Sequence, residues 1–228
     1  MIRINHISAM IEKDFRVTLR NMQILILFII YPVVGFVMAQ SVSMEKSFFI
    51  SVFATMHFVF TPIVSTSAMI SEEKDKNTLR VLRMSGINSA EFFLSTALFV
   101  LILDCLTGSS LLLLSGQNGP NPWLFYSAGI LGGIISILVG ICIGTFSKST
   151  SAASGLAVAA GMVLAFIPML SFFNKGLEHF SKFLYGQQIK YLIEGKNWSG
   201  ESIAVMLINL GFIVGLYVLL YKRTKLDE

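Results

Sequence analysis

An imidazole and a carboxylate are the side chains best suited to hold or pass a proton near neutral pH. Of the three histidines, His6, His57 and His179, only His57 lies deep in an apolar stretch, and Asp104 lies deep in another. His57 and Asp104 are each 13 residues from one end of their stretches, Ile70 and Glu91. At 1.5 Å per residue, both would sit roughly 18–20 Å from the same boundary. The pair reads in two ways, as a polar clasp fixing helix packing or as a proton or substrate site.

Other chemistry fails on composition. An intramembrane serine protease needs a serine with a histidine on a later span, and no histidine follows His57 until His179. Glu72-Glu73 resembles the paired glutamates of another membrane protease class, but Asn77 stands where that class needs an arginine. Ser147-Lys148-Ser149-Thr150 ends like a phosphate loop without the glycines that would cradle phosphate. Cys105 and Cys142 have no metal-ligand neighbours, so no metal site and no catalytic set is expected.

The elements that position these residues are long and apolar. Six stretches, 23–40, 48–70, 91–114, 123–146, 151–173 and 201–221, approach the roughly 20 residues needed to cross a ~30 Å hydrocarbon core. Of the 228 residues, 54% are hydrophobic and 13% charged, against about 25% charged in a typical soluble domain. A domain this size cannot bury six helices that are apolar all round. The fold class is therefore an all-α membrane protein. Its parts are an interfacial helix at 1–22, a six-span domain at 23–221 and a tail at 222–228.

Net charge is +4, and its distribution is more informative. With the N-terminus inside, the inner segments hold Arg3, Lys13, Arg16, Arg20, Lys74, Lys76, Arg80, Arg83, Lys148, Lys222, Arg223 and Lys225. That is twelve of the seventeen Lys and Arg. The outer segments hold Lys46, Lys175, Lys182, Lys190 and Lys196, and the loop 115–122 holds none. Both termini are expected in the cytoplasm. Trp123 and Trp198 then both fall at the outer interface. No aromatic-basic platform accompanies the cations, so lipid and not nucleic acid is their expected partner.

Ile4, Ile7, Ile11 and Phe15 recur at helical spacing with charges off the stripe, as in an amphipathic helix lying in the inner interface. Gly129, Gly133, Ser136, Gly140 and Gly144 line one side of the fourth span, and Gly211 and Gly215 recur in the sixth. Such stripes let helices approach closely, and packing within one subunit is expected before a dimer seam. In the last outer loop, Leu177, Phe180, Phe183 and Leu184 suggest short helices resting on the outer face of the bundle.

The most charged segment is Ser71-Glu72-Glu73-Lys74-Asp75-Lys76-Asn77-Thr78-Leu79-Arg80-Val81-Leu82-Arg83-Met84-Ser85-Gly86. With six spans and an amphipathic N-terminal helix, it resembles the loop between spans two and three in type-2 permeases of ABC exporters. The glutamate, Thr78 and the leucines match. Asn77 replaces the usual glycine, and Gly86 stands where proline is common. The turn Phe146–Thr150 and the long outer loop also fit.

The resemblance implies a half-transporter in the cell membrane of a bacterium. It implies two copies of a separate ATPase, which would hold ATP and Mg, and a second permease subunit, identical or different; no cofactor is expected in this chain. Glu72, Glu73, Lys76, Thr78, Leu79, Arg80, Leu82, Arg83 and Lys148 would couple to the ATPase, with Leu79 and Leu82 as anchors. Tyr31, Gln40, Thr55, His57, Thr61 and Ser65 would line the translocation path. Walls of Phe, Met and Ile suit an amphipathic or lipid-like cargo, and the short chain and last outer loop resemble the permeases that export bacteriocins, amphipathic toxin peptides or peptide antibiotics, which implies an amphipathic peptide. Drug, lipid or polysaccharide is the alternative cargo. Two other classes stay open. One is an ATP-independent channel or proton-coupled carrier using His57 and Asp104, and the other is a non-transporting immunity or assembly protein.

Overall fold

A computed structural model describes residues 3–41, 46–114 and 119–226; the side chains of Lys46 and of residues 223–226 are outside the description, as are residues 115–118 of the loop 115–122. The described residues form ten helices: α1 (Ile4–Arg20), α2 (Met22–Ser41), α3 (Lys46–Asp75), α4 (Thr78–Met84), α5 (Ser89–Leu114), α6 (Pro122–Phe146), α7 (Thr150–Leu170), α8 (Lys175–Ser181), α9 (Tyr185–Ile193) and α10 (Gly200–Leu226). Six of them, α2, α3, α5, α6, α7 and α10, are long and apolar enough to cross a membrane.

The boundaries moved for local reasons. The second span does not stop at Ile70. Ser71–Asp75 contains no helix breaker, so α3 runs on to Asp75, and the chain leaves the helix only at Asn77. The fifth span ends at Leu170 instead of residue 173, where Ser171 Oγ donates to Pro168 O (2.7 Å) and closes the last turn. Residues 222–226, expected as tail, continue α10.

α3 is the axis of the fold. It packs on α2, α5, α6, α7 and α9, and Ala54, Phe58, Val59 and Ile63 are fully enclosed. Its closest neighbour is α6, because the small stripe admits α3 backbone. A Cβ added to Gly140 would lie 2.8 Å from Ile63 O, and one added to Gly144 would lie 2.9 Å from Ser67 O. The α6 stripe is thus spent on packing inside the chain. At Gly211 and Gly215 a Cβ would meet nothing within 4 Å.

The segment between α7 and α10, expected as the last outer loop, departs from expectation. α8 is largely exposed, but α9 does not rest on the outer face: it is inserted among α3, α6, α7 and α10, with Tyr185, Gln187, Gln188, Ile189, Lys190 and Leu192 buried. Polar residues tolerate this because each finds a partner. Tyr185 Oη and Ser136 Oγ share a hydrogen bond (2.9 Å), Ser171 Oγ donates to Gln187 Oε1 (2.9 Å), and Lys190 Nζ donates to Pro168 O (3.1 Å). Gly186 permits the close approach, since a Cβ there would be 2.5 Å from Leu164 O.

Candidate functional site

Successive residues on a helix point about 100° apart, so four in a row reach in four directions. The foot of α3 uses this. Glu72 Oε1 accepts from Asn21 Nδ2 (3.0 Å), at the junction of α1 and α2. Glu73 Oε1 accepts from Lys13 Nζ (2.5 Å) on α1, and Glu73 Oε2 accepts from Thr78 Oγ1 on α4. Lys74 Nζ donates to Thr145 O (3.0 Å) and Ser147 O (2.9 Å), where α6 leaves its carbonyls unpaired. Asp75 Oδ2 accepts from Thr150 N and Thr150 Oγ1 (both 2.6 Å), at the opposite pole of α7. A cation at a helix C-terminus and an anion at an N-terminus each complement the macrodipole.

This foot presents α4 to solvent. Asn77 turns the chain with φ 55°, and Thr78 Oγ1 also donates to Glu73 O (3.0 Å). At the far end Ile87 N donates to Leu82 O (3.1 Å) and Gly86 has φ 81°, a left-handed stop of the Schellman type. Both departures from the family pattern are thereby explained. Asn is the non-glycine residue that best tolerates the left-handed region, and Gly86 ends α4 by conformation where proline would end it by lacking a donor.

The expected anchors are placed otherwise. Leu79 and Leu82 are half-buried against a part of the chain's own core that includes Phe92 and Met69. The apolar side chains that α4 offers to solvent are Val81 and Met84, 60% and 81% exposed, beside the exposed Arg80 and Arg83. Exposed Val81 and Met84 carry no periodic signal in a seven-residue helix, so the sequence alone favoured the leucines. Lys76 and Lys148 are exposed on the same side, and Lys76 Nζ lies 3.2 Å from Glu72 Oε2.

α1 is fastened to the same region by buried acids. Glu91, 1% exposed, accepts from Arg3 N (2.8 Å), Asn88 N (3.0 Å) and His6 Nδ1 (3.1 Å). Asp14 is buried beneath α1, where Thr96 Oγ1 donates to it (3.3 Å) and Lys13 Nζ lies 3.6 Å away. Burial pushes the Asp14 carboxyl up to about 6, against the opposing pull of Lys13 and Thr96, while Glu73 adds to the rise. The folded value therefore lies above the unfolded one. The protonated acid favours the docked state, so the contribution of Asp14 to stability is greatest below about pH 4 and falls as pH rises toward 6. The expected loss is on the order of 2 kcal/mol. Asp14→Asn should abolish that slope. The check is thermal denaturation in detergent between pH 4 and 7.5, and equal slopes in wild type and variant would refute it.

Toward the centre of the membrane, His57 Nε2 lies 3.2 Å from Asp104 Oδ1, and both side chains are fully buried. The same nitrogen is aimed at Asp104 O (3.1 Å) and Thr107 Oγ1 (3.0 Å). Among the described residues, neither Asp104 carboxylate oxygen therefore receives a hydrogen bond of good geometry. Thr61 Oγ1 donates to Leu27 O (3.1 Å) and lies 3.4 Å from His57 Nδ1, so the pair ties α3 to α2 and α5.

The expected path residues separate into two groups. Thr55, His57, Thr61 and Ser65 are enclosed in the bundle, where Thr55 Oγ1 and Ser65 Oγ donate one turn back along α3. In the chain by itself none of the four reaches the surface. Tyr31 is half-buried and Gln40 exposed. The exposed face of α2 is dry: Ile26, Ile29, Val33 and Val37. No group of three or more His, Cys, Asp or Glu among the described residues could hold a metal ion.

Comparison with known proteins adds one finding. A family model described as fluoroquinolones export permease protein Rv2686c-like matches residues 14–186, from within α1 to the start of α9. Among curated proteins none matches the chain significantly.

Proposed function

The chain belongs to the Rv2686c-like fluoroquinolone export permeases, a family of ABC permeases, and on that premise we propose that it is the membrane half of a type-2 ABC exporter that docks a separate ATPase through α4. It is a multi-pass membrane protein, and a permease rather than an enzyme is the transport subunit of such a system. The observation that carries the docking proposal is the exposed edge of α4, where Arg80, Val81, Arg83 and Met84 point outward while Thr78, Leu79 and Leu82 bind the helix to the bundle. Two apolar side chains flanked by two cations suit a cleft with an apolar floor and an acidic rim.

The partner ATPase, in two copies, would supply ATP and Mg. The cycle then works by changing the relative stability of two permease conformations. A second permease subunit would complete the path, and the dry α2 face is the candidate seam. The cargo is amphipathic. The family description favours a small aromatic drug of the fluoroquinolone kind, and an amphipathic peptide is the second cargo class. The His57–Asp104 pair acts in this reading as a clasp between spans, not as a proton relay.

Orientation follows from the cations: both termini and α4 face the cytoplasm. The test is co-purification with an ATPase encoded beside it, followed by ATP hydrolysis in liposomes with a fluoroquinolone or an amphipathic peptide added. Stimulation by either one, with a cysteine at Lys76 closed to external reagent in intact cells, is the expected result. An external label at Lys76, or hydrolysis indifferent to both cargoes, would sink the proposal.

A further inference from the structure

A cleft of about 550 Å³ opens between the α8–α9 turn, the α9–α10 linker and the start of α10. Lys182 and Lys196 both line it. Each ammonium lies over an aromatic ring, Lys196 Nζ 3.6 Å from the centroid of Tyr191 and Lys182 Nζ 5.3 Å from that of Phe183. Glu201 also lines the cleft, but among the described residues neither lysine is within ion-pair distance of an acid. Two cations and one carboxylate thus share one concavity, and among the described residues the lysines are not paired with that carboxylate.

The cleft is built, not incidental. Gln188, buried on α9, donates from Nε2 to Lys182 O (2.6 Å), and Asn209 Nδ2 donates to Phe183 O (2.9 Å). These two bonds fix the backbone that carries Lys182. Asn209 lies nine residues beyond Gly200 on α10, so the turn is held about 13 Å along that helix from its first residue. Phe183 and Val205 line the cleft beside Lys182, so a long aliphatic stem with a charged head shares it with apolar carbons. Polar and apolar lining meet there, as a charged head joined to acyl chains requires.

We propose that this cleft binds the phosphate of an anionic phospholipid, with Lys182 and Lys196 as its cationic contacts and Phe183 and Val205 against the first carbons of its chains. The site lies outside the ATPase-docking surface and does not depend on the cargo.

The test is native mass spectrometry of the purified chain in detergent, titrated with phosphatidylglycerol or phosphatidylcholine. Wild type should retain phosphatidylglycerol preferentially. The double variant Lys182→Ala, Lys196→Ala should lose retention on the order of tenfold, the effect expected of two near-surface cations. Lys182→Arg with Lys196→Arg should keep it, as should Lys175→Ala on α8, which separates loss of the site from loss of the fold. Equal retention of the two lipids by wild type, or undiminished binding by the double alanine variant, would overturn the proposal. Displacement of the phospholipid by a carboxylate-bearing fluoroquinolone would assign the cleft to cargo and overturn it equally.

Discussion

Met84→Asp is expected to leave the chain inserted and folded while abolishing its association with the ATPase. Met84 is 81% exposed at the end of α4, so the substitution removes little that the bundle itself uses. In a docked complex the same side chain would be desolvated. Central apolar anchors commonly cost about 2 kcal/mol or more when truncated, and a carboxylate in such a pocket costs more. The association should weaken by at least roughly thirtyfold, and Val81→Asp should behave alike. Leu82→Asp is less decisive, because Leu82 packs against the chain's own core and its loss would disturb α4 itself. Leu184→Asp, in the outer turn, serves as control. Pull-down with the ATPase and cargo-stimulated hydrolysis are the measurements. If Met84→Asp and Val81→Asp both associate and transport as wild type does, α4 is not the docking element.

Gly140→Ile should destroy the fold. Its Cβ alone would sit 2.8 Å from Ile63 O and 2.8 Å from Thr66 Cβ, and the first of these is backbone on the central helix. α3 can retreat only by loosening its contacts with α6 and, through them, with α7 and α9. Overpacking in a close-packed interior typically costs 1–3 kcal/mol, and a helix forced off its axis costs more. Gly211→Ile, where a Cβ meets nothing within 4 Å, should change stability by less than about 0.5 kcal/mol. Fluorescence-detected size exclusion of the two variants after graded heating separates the cases. A monodisperse Gly140→Ile protein with wild-type thermal stability would show that the α3–α6 contact is not the core of the bundle.

Much of the architecture was readable because bilayer thickness imposes a length that hydropathy records directly. The six spans, and the matching depth of His57 and Asp104, follow from counting residues. Which face of each span turns inward was not readable, since lipid-facing and core-facing residues are equally apolar. Polarity alone thus singles out Thr55, His57, Thr61 and Ser65 without showing that they lie inside the bundle. α9 was misplaced for a related reason. The periodic residues Leu177, Phe180 and Phe183 belong to or flank the exposed α8, whereas the inserted helix contains Gln187, Gln188 and Lys190, whose partners come from Ser171, Lys182 and Pro168. Pairings of polar side chains to backbone carbonyls and a hydroxyl outside their own helix leave no periodic pattern. On α4 the leucines read as anchors because they are the larger apolar residues, while the turn at Asn77 decides that they face inward.

The four charges at the foot of α3 restrict how a push on α4 can travel. Glu72, Glu73, Lys74 and Asp75 are fastened around the full circumference of the helix, to the α1–α2 junction, to α1 and α4, to the end of α6 and to the start of α7. A shaft bolted on every side cannot spin. Turning α3 about its own axis by even one residue's 100° would break all four attachments together, whereas tilting it carries the attached ends along as a flange. Under the proposed docking at α4, a tilt of α3 would carry α1, α6 and α7 with it, whereas a turn about its axis would first have to break these bonds.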